Sequence, residues 1–356
     1  MKKIALINKL FLSLLEVLLL SSLFFLFSCK KDNNFSTNPK KIYHSNLVMP
    51  TLEELQNFYE EGYDAIDGFV EITGNNRLKN MMTLSNVKEI TGAFLIQSNQ
   101  QLVSFDGLEN LQSVGAISIV NNYLLTSIEG LNNLRSVEEH FDISGNTILT
   151  SLNGLEGLQS IGSIDITANA ALESLAPLNN LQTIKGSISI LNNSSLTSFD
   201  WVIAKQSVKG DLKIESNNAL KSLEGLTNIH SIGGSLNINF NDTLKSLRGI
   251  NNLEIVGNWL IISSNKELYS IEELSKIQSV GESAIIRYNR LLPSLSGLNH
   301  LQSVGKELQI YNNQSLSDFC ALKGLLTNNG VGGDINIHDN LFNPSSEDII
   351  NGNCSQ

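Results

Sequence analysis

An aliphatic residue followed three positions later by asparagine recurs twelve times between residues 72 and 340, and this repeat constrains the fold more than any other feature. Successive pairs are 23 or 24 residues apart, except for a last step of 27. The pairs are Ile72/Asn75, Ile96/Asn99, Ile119/Asn122, Ile143/Asn146, Ile166/Asn169, Ile190/Asn193, Ile214/Asn217, Ile238/Asn241, Ile262/Asn265, Ile286/Asn289, Ile310/Asn313 and Ile337/Asn340. A fixed period in this range is typical of stacked units that each contact only their neighbours. The sequence therefore predicts a solenoid of about twelve coils.

Within one coil, the apolar residues follow two spacings. Leu236 and Ile238 are two positions apart, as in a short strand with one buried face. The next five apolar residues are three positions apart: Leu244, Leu247, Ile250, Leu253 and Val256. Because an α-helix turns about 100° per residue, a stripe with this spacing would not face a single core. We therefore expect an all-β repeat in which each coil has one short strand followed by tight, extended segments.

Polar residues and glycines also recur once per coil. Asparagine at the strand exit can bond both nearby backbone and the next asparagine in the stack, so we interpret this column as a structural ladder, with a ligand-binding stripe as the alternative. Serines at bends form a second column, namely Ser104, Ser127, Ser151, Ser174, Ser198, Ser222, Ser246, Ser270 and Ser294. We expect positive φ angles at the glycines near the coil ends, namely Gly115, Gly162, Gly233, Gly257, Gly281 and Gly305.

One coil departs from the pattern after Phe199. Trp201 stands where glycine usually occurs, and Lys205 occupies an aliphatic position. We expect a bulge or a short helix there, with the stack continuing on register from Leu212. Two smaller solenoids that meet near residue 209 are the alternative.

The first 28 residues have the features of a secretory signal peptide. Lys2, Lys3 and Lys9 precede an apolar stretch that Glu16 interrupts, so the uninterrupted part, 11 residues from position 17 to 27, is too short for a membrane-spanning helix. The sequence Leu-Phe-Ser-Cys ending at Cys29 resembles the lipobox of bacterial lipoproteins, which implies cleavage and lipid attachment at Cys29. An uncleaved anchor is the alternative.

Two further segments precede the solenoid, which we expect to span residues 67–318. Residues 29–48 are polar and predict a flexible tether. Residues 49–66 predict an N-terminal capping helix, in which Thr51 and Glu54 form a capping box and Gly62 ends the helix.

The repeat decays into a predicted C-terminal cap at residues 319–356. If Cys29 carries lipid, Cys320 and Cys354 remain as an even pair in an exported, oxidising compartment. We expect a disulfide between them, with two free thiols as the alternative. The five histidines never cluster with cysteine at metal-ligand spacing, so we predict neither a metal site nor a cofactor.

Several segments resemble the repeats of receptor L-domain proteins. These include residues 108–115, with the sequence LENLQSVG, and residues 233–241, with the sequence GGSLNINFN. The entry segment at residues 63–68 and the closing segment at residues 319–354 are also similar to those of the family. The resemblance implies a leucine-rich-repeat relative folded as a right-handed β-helix, a place among surface lipoproteins of Gram-negative bacteria, and a binding or adhesion role without catalytic residues.

Charge limits the choice of partner. The chain has 24 basic and 35 acidic residues, and removal of residues 1–28 takes away three lysines and one glutamate and leaves a net charge of −13. This sign argues against nucleic acid and anionic lipid as partners, so the lipid at Cys29 would be the only membrane contact. Asp142 and Asp165 occupy outward positions one coil apart. We interpret them as a solvated acidic face, with a cation site as the alternative.

Exposed aromatic residues indicate where a ligand would bind. Phe240 and Tyr288 fall in one outward column, Tyr311 in an adjacent column and Trp259 at a strand entrance, all within four consecutive coils. Such rings, with Arg287 and Arg290 nearby, suit a glycan or a protein anchor, and scattered surface aromatics are the alternative.

These observations favour a lipid-anchored module of the cell envelope, exposed on the outer membrane, that binds a protein or a glycan through its strand face. A passive envelope or spacer protein is the alternative. We expect no enzymatic activity, because the repeat leaves no long loops in which a catalytic site could assemble.

Overall fold

The protein is a parallel β-solenoid. The computed structural model describes residues 39–48, 51–203 and 207–356, and Lys41–Gln356 form one compact unit. The predicted signal peptide, the predicted lipid-attachment residue Cys29 and the first half of the predicted tether lie outside the described residues.

The described residues contain 21 strands. The strands are β1 (Ile42–Tyr43), β2 (Leu47–Val48), β3 (Ala65–Ile66), β4 (Val70–Thr73), β5 (Glu89–Gln97), β6 (Ser113–Val120), β7 (Ser136–Ser144), β8 (Ser160–Thr167), β9 (Thr183–Ile184), β10 (Ile188–Leu191), β11 (Ser207–Val208), β12 (Leu212–Glu215), β13 (Ser231–Ile232), β14 (Leu236–Asn239), β15 (Ile255–Val256), β16 (Leu260–Ser263), β17 (Ser279–Val280), β18 (Ala284–Arg287), β19 (Ser303–Val304), β20 (Leu308–Tyr311) and β21 (Ile335–His338).

Equivalent strands of successive coils pair in parallel. Sixteen strands form one sheet that follows the stack from β1 to β21, and β11, β13, β15, β17 and β19 form a second, five-stranded sheet. The register places each repeat isoleucine beside its counterpart, as Ile214 pairs with Ile238 and Ile238 with Ile262. The aliphatic side chains that define the repeat fill one continuous interior along the stack. The expected all-β solenoid is therefore confirmed.

A 3₁₀ helix forms part of many coils where extended segments were expected. These helices are Met82–Leu84, Glu129–Leu131, Ala176–Leu178, Glu224–Leu226, Glu272–Leu274, Ser296–Leu298 and Cys320–Leu322. A 3₁₀ helix has 3.0 residues per turn, so side chains three positions apart lie on the same face. Apolar residues three positions apart do not fit an α-helix, but they do fit a 3₁₀ turn. The prediction of purely extended segments was wrong at these positions.

The asparagine column is a buried structural ladder. Asn241 shows the pattern: its Oδ1 atom accepts the backbone N–H of Asn217 at 3.1 Å, and its Nδ2 atom donates to the carbonyl oxygen of Ile214 at 2.9 Å. The ladder asparagines from Asn99 to Asn313 are fully buried. The last asparagine of the ladder, Asn340, donates its backbone N–H to the side chain of Asn343, three residues later in the chain. A buried turn cannot be hydrated, so each of these side chains supplies the bonds that water would otherwise make.

The glycines at the coil ends have a different role from the one predicted. None of the six named above has a positive φ angle. A Cβ atom at Gly281 would collide with the carbonyl oxygen of Gly257, and one at Gly305 would collide with that of Gly281. These glycines are needed because successive coils approach each other closely at this corner.

The stack begins earlier than the predicted tether allows. Residues 29–48 were expected to be flexible, but β1 pairs with β3 and β2 pairs with β4. The tether prediction was therefore wrong for residues 42–48. The polar composition of the segment obscured two apolar pairs, Ile42–Tyr43 and Leu47–Val48, which extend the solenoid by one level.

Helix α1 (Leu52–Glu61) lies between these first strands and β3. Thr51 and Glu54 form the predicted capping box, and the bond from the Thr51 backbone N–H holds the pKa of the Glu54 carboxyl below its ordinary value. Leu55 and Phe58 are buried, whereas Leu52 and Tyr59, which helical spacing places on the same side, are 40% and 41% exposed. The helix covers the N-terminal end of the core through two side chains rather than four.

The irregular coil near Trp201 does not interrupt the stack. The Trp201 side chain is fully buried and stacks on Phe199 with ring centroids 5.9 Å apart. Residues 201–203 contain no helix, and residues 204–206 lie outside the described residues. Strands β8, β10 and β12 pair continuously across this region, so the alternative of two smaller solenoids is wrong.

Two short helices close the C-terminal end, α2 (Lys323–Thr327) and α3 (Ser346–Asn351). A disulfide joins Cys320 and Cys354, whose Cα atoms are 4.9 Å apart. The backbone N–H of Phe319 also donates to the carbonyl oxygen of Cys354 at 2.8 Å. The end of the chain is thus attached to the last regular coil by both a covalent and a hydrogen bond.

Candidate ligand-binding site

The residue before each ladder asparagine has a left-handed backbone conformation. Small or polar residues occupy most of these positions, and their φ angles lie between 55° and 68°. They are Gly74, Ser98, Asn121, Gly145, Ala168, Asn192, Ser216, Ser264, Asn312 and Asp339. Phe240 and Tyr288 occupy the same position with φ angles of 56° and 55°. These two rings therefore lie in the turn just after a strand, not on the flat strand face where the sequence placed them.

Phe240 and Tyr288 border one surface depression. Their side chains are 54% and 49% exposed. The depression has a volume of about 540 Å³, and its lining residues are Ser216, Asn218, Phe240, Asp242, Ser264, Lys266 and Tyr288. The two aromatic residues are two coils apart, with Ser264 between them, so their Cα atoms are about 10 Å apart at the usual spacing of strands. Hydroxyl, amide and charged groups thus lie between and beside two exposed rings.

A second cluster continues from Tyr288 towards the C-terminal end. The Tyr288 and Tyr311 rings meet edge to face with centroids 5.8 Å apart, and His338 stacks on Tyr311 at 4.9 Å. Arg287 donates to the Tyr311 hydroxyl at 2.5 Å, and its guanidinium lies within 6 Å of both tyrosine rings. Sequence reasoning missed His338, although its position 27 residues after Tyr311, the same step as the last asparagine pair, could have indicated it.

Trp259 lies apart from the other predicted aromatic residues. It is 41% exposed and comes directly before β16, whereas Phe240 and Tyr288 come directly after β14 and β18. Five residues separate Trp259 from Ser264 in its own coil, which corresponds to about 16 Å along an extended chain. Among the described residues, its ring forms no aromatic pair with the other three. The structure therefore does not bring all four of the predicted rings together.

A cationic cavity adjoins the depression. It has a volume of about 590 Å³, and its lining residues are Lys221, Asp242, Thr243, Lys245, Lys266, Glu267 and Arg290. Asp242 and Lys266 belong to both cavities, and their side chains form an ion pair at 2.6 Å. The two cavities therefore form one continuous surface on the turns of neighbouring coils.

Unsatisfied acceptors occur on the strand next to Phe240. The Oδ1 atoms of Asn237 and Asn239 are buried and accept no hydrogen bond from the described residues. An unpaired buried polar atom costs about 1 to 3 kcal/mol, so these two acceptors lower the stability of the strand.

The outward aspartates Asp142 and Asp165 pair in register, as the repeat predicts. Each carboxylate has its own partner within the chain. Ser118 donates to Asp142 at 3.1 Å, and the Nε2 atom of His140 lies 3.1 Å from Asp165. Residues 39–48, 51–203 and 207–356 contain no group of three or more His, Cys, Asp or Glu residues arranged to hold a metal ion. None of the helices in these ranges has the length and apolar composition needed to cross a membrane.

Residues 64–139 match the receptor L domain family. The receptor L domain match covers β3 to β6 and the first four residues of β7, in the N-terminal coils of the solenoid. The cavities bordered by Phe240, Tyr288 and Lys245 lie outside the matched stretch. No curated protein matches the chain.

Proposed function

We propose that the protein is a lipid-anchored binding module of the cell surface, and that it recognises a glycan at the depression between Phe240 and Tyr288. The observation that carries the proposal is the backbone conformation of these two residues. A non-glycine residue in the left-handed region costs about 1 to 3 kcal/mol, and bulky side chains are among the least suited to it. Folding alone favours the Gly, Asn or Asp found at this position in six other coils. Ligand binding gives a reason for the two aromatic residues.

The spacing of the rings fits a sugar. A pyranose ring in van der Waals contact on both faces needs about 7 to 8 Å between its two neighbours, since carbon atoms in contact are 3.5 to 4.0 Å apart. The separation of about 10 Å between the Cα atoms of Phe240 and Tyr288 leaves room for such a ring. Aromatic faces would cover the apolar faces of the sugar, and Ser264, Asn218 and Asp242 offer hydrogen bonds for its hydroxyl groups.

A glycan fits this surface better than a protein anchor does. Protein hot spots cluster in fully desolvated pockets that a ring of neighbouring contacts closes off from water. Here Ser264 separates the two rings, and the depression also contains the charged pair Asp242 and Lys266. Small-molecule sites combine apolar walls with a few placed polar groups in this way.

The proposed location rests on the ends of the chain and on the family match. The lipobox-like sequence at Cys29 supports attachment to a membrane through a lipid. The disulfide between Cys320 and Cys354 is typical of exported proteins. The similarity of residues 64–139 to the receptor L domain supports an extracellular binding role.

The proposal is tested with a soluble chain that begins at residue 30 and contains the whole compact unit. Binding to an array of oligosaccharides is compared between this chain and the variant Phe240→Asn/Tyr288→Asn, which copies the asparagine found in other coils. We expect the variant to lose binding by about tenfold or more, because hot-spot residues contribute 2 kcal/mol or more. Its melting temperature should be unchanged or higher, since asparagine tolerates the left-handed conformation.

The matched control is Tyr123→Asn. Tyr123 is 51% exposed and lies five coils before Phe240, so its replacement should leave binding intact. Full binding by the folded double variant would place the site elsewhere. A soluble chain that binds no oligosaccharide would favour the passive spacer protein instead.

A further inference from the structure

We infer that the ligand carries an anionic group, a carboxylate or a sulfate, and that Lys221 and Lys245 bind it in the cavity beside the aromatic depression. This inference rests on the proposed function, because it names the class of glycan that the same surface would take. The acidic chain as a whole gives no reason to expect it, since its net charge is −11.

The charges around the cavity do not balance. Four cations, Lys221, Lys245, Lys266 and Arg290, face two acidic residues, Asp242 and Glu267. Lys266 pairs with Asp242 at 2.6 Å and Arg290 with Glu267 at 3.6 Å. Lys221 and Lys245 form no ion pair with any described residue. The cavity therefore has two uncompensated positive charges.

These two lysines also lie next to each other in the stack. Each follows a buried core leucine, Leu220 or Leu244, and the two are 24 residues apart, so they occupy equivalent positions in adjacent coils. Adjacent strands are about 4.8 Å apart, and like charges directly opposite each other are destabilising. The backbones of the two lysines are therefore one coil spacing apart, and neither side chain has a counter-charge among the described residues. A bound anion would relieve this repulsion.

The cavity and the depression can be occupied by one molecule. They share Asp242 and Lys266, which form the boundary between them. A sugar ring between Phe240 and Tyr288 would place its substituents, or the next sugar residue, over the lysine pair. An acidic oligosaccharide combines the apolar ring faces that the aromatic residues need with the negative charge that the lysines need. Charge-assisted hydrogen bonds from ammonium to carboxylate or sulfate are about twice as strong as neutral ones.

The test uses an array in which each acidic oligosaccharide is printed beside its neutral counterpart. Uronic acid oligomers are paired with their carboxyl-reduced forms, and sulfated oligomers with their desulfated forms, so the two arms distinguish a carboxylate from a sulfate ligand. We expect at least one acidic member to bind about tenfold more tightly than its neutral counterpart, since two charge-assisted bonds are added. Raising the salt concentration from about 50 mM to about 500 mM should weaken that binding and leave neutral binding unchanged.

Three variants of the soluble chain test which residues bind the anionic group of the ligand. Lys221→Gln/Lys245→Gln should remove the preference for the acidic member. Lys209→Gln/Lys323→Gln changes the net charge equally, at exposed lysines outside both cavities, and should retain the preference. Phe240→Asn/Tyr288→Asn should weaken the binding of both members.

The outcomes separate the two proposals. Equal binding of acidic and neutral members, lost in the aromatic variant, would overturn the anionic ligand and support the aromatic site. An acidic preference that survives in the Lys221→Gln/Lys245→Gln variant would overturn the role of this cavity. An acidic preference lost with the lysines but unaffected by the aromatic variant would support the lysine site and overturn the aromatic one. No binding to any member would overturn both.

Discussion

The side-chain nitrogen of Asn241 lies 2.9 Å from the carbonyl oxygen of Ile214, 27 residues earlier in the chain. The Oδ1 atom of the same side chain accepts the N–H of Asn217. One side chain therefore completes two backbone bonds of the preceding coil.

Replacement of Asn241 by leucine should destabilise the solenoid. It would leave the Asn217 N–H and the Ile214 carbonyl without these partners, at a cost of about 1 to 3 kcal/mol for each buried group. Asn239→Leu is the matched control, since Asn239 is also buried but its Oδ1 atom has no partner among the described residues. Its free energy of unfolding should stay within about 1 kcal/mol of wild type or rise. Denaturant unfolding of the two variants measures the difference, and equal losses would show that the ladder bonds do not contribute as described.

Leu247→Asp should unfold or fray several coils. Leu247 is fully buried, so the aspartate would be an unpaired charge in the core of a stack whose stability is shared between neighbours. Ile255→Asp introduces the same group at a position that is 46% exposed and should change the melting temperature little. Similar melting of the two variants would contradict the assignment of inside and outside faces.

Gly281→Ala should lower the free energy of unfolding by about 1 to 3 kcal/mol, as overpacking usually does. The added Cβ atom would meet the carbonyl oxygen of Gly257, a backbone atom that cannot rotate away. Gly324→Ala adds the same atom in helix α2, where nothing lies within 4 Å, and should be neutral or stabilising. Denaturant unfolding curves measure both changes in the free energy of unfolding. An unchanged stability of Gly281→Ala would mean that the coils can separate at this corner.

Removal of the disulfide by Cys320→Ser/Cys354→Ser should lower stability by about 3 to 4 kcal/mol on the chain-entropy estimate for a loop of this size. The bridge spans 34 residues and holds the C-terminal cap on the last coils. Hydrogen exchange should show the loss of protection concentrated after residue 318. Uniform loss along the whole stack would indicate that the cap is not a separate stabilising unit.

Cys29→Ala should abolish incorporation of a fatty-acid analogue and release the protein from the membrane fraction. This expectation follows from the sequence, because residue 29 lies outside the described residues. Cys320→Ser is the control and should still be labelled. Unchanged labelling of Cys29→Ala would reject the lipoprotein assignment.

The repeat period predicts which residues stack but not why each is needed. The asparagine ladder could be predicted because a buried amide at a turn has few other roles. The role of the glycine column could not be predicted. Either a positive φ angle or a nearby atom can restrict a position to glycine, and only the position of the Gly257 carbonyl beside Gly281 decides between the two reasons.

The candidate site was predicted in part, for a similar reason. Phe240 and Tyr288 share a column because they are 48 residues, two coils, apart. Trp259 was correctly placed at a strand entrance, but it was grouped with them because the repeat shows which coils are neighbours and not how far a strand entrance lies from the turn after the strand. Lys221 and Lys245 were overlooked, although alignment of the coils on Leu220 and Leu244 places them together.

The asparagine ladder has a direction. Each rung is completed by a side chain that lies later in the chain, as Asn217 depends on Asn241 and Asn241 on Asn265. During synthesis the most recent turn therefore always lacks its partners until another 24 residues have emerged. The bond from Asn340 to Asn343 ends this dependence, because it supplies the next acceptor from within the same turn. A chain shortened at its C-terminus would leave the backbone N–H of its last ladder asparagine without an acceptor. A chain lengthened by a whole coil would not.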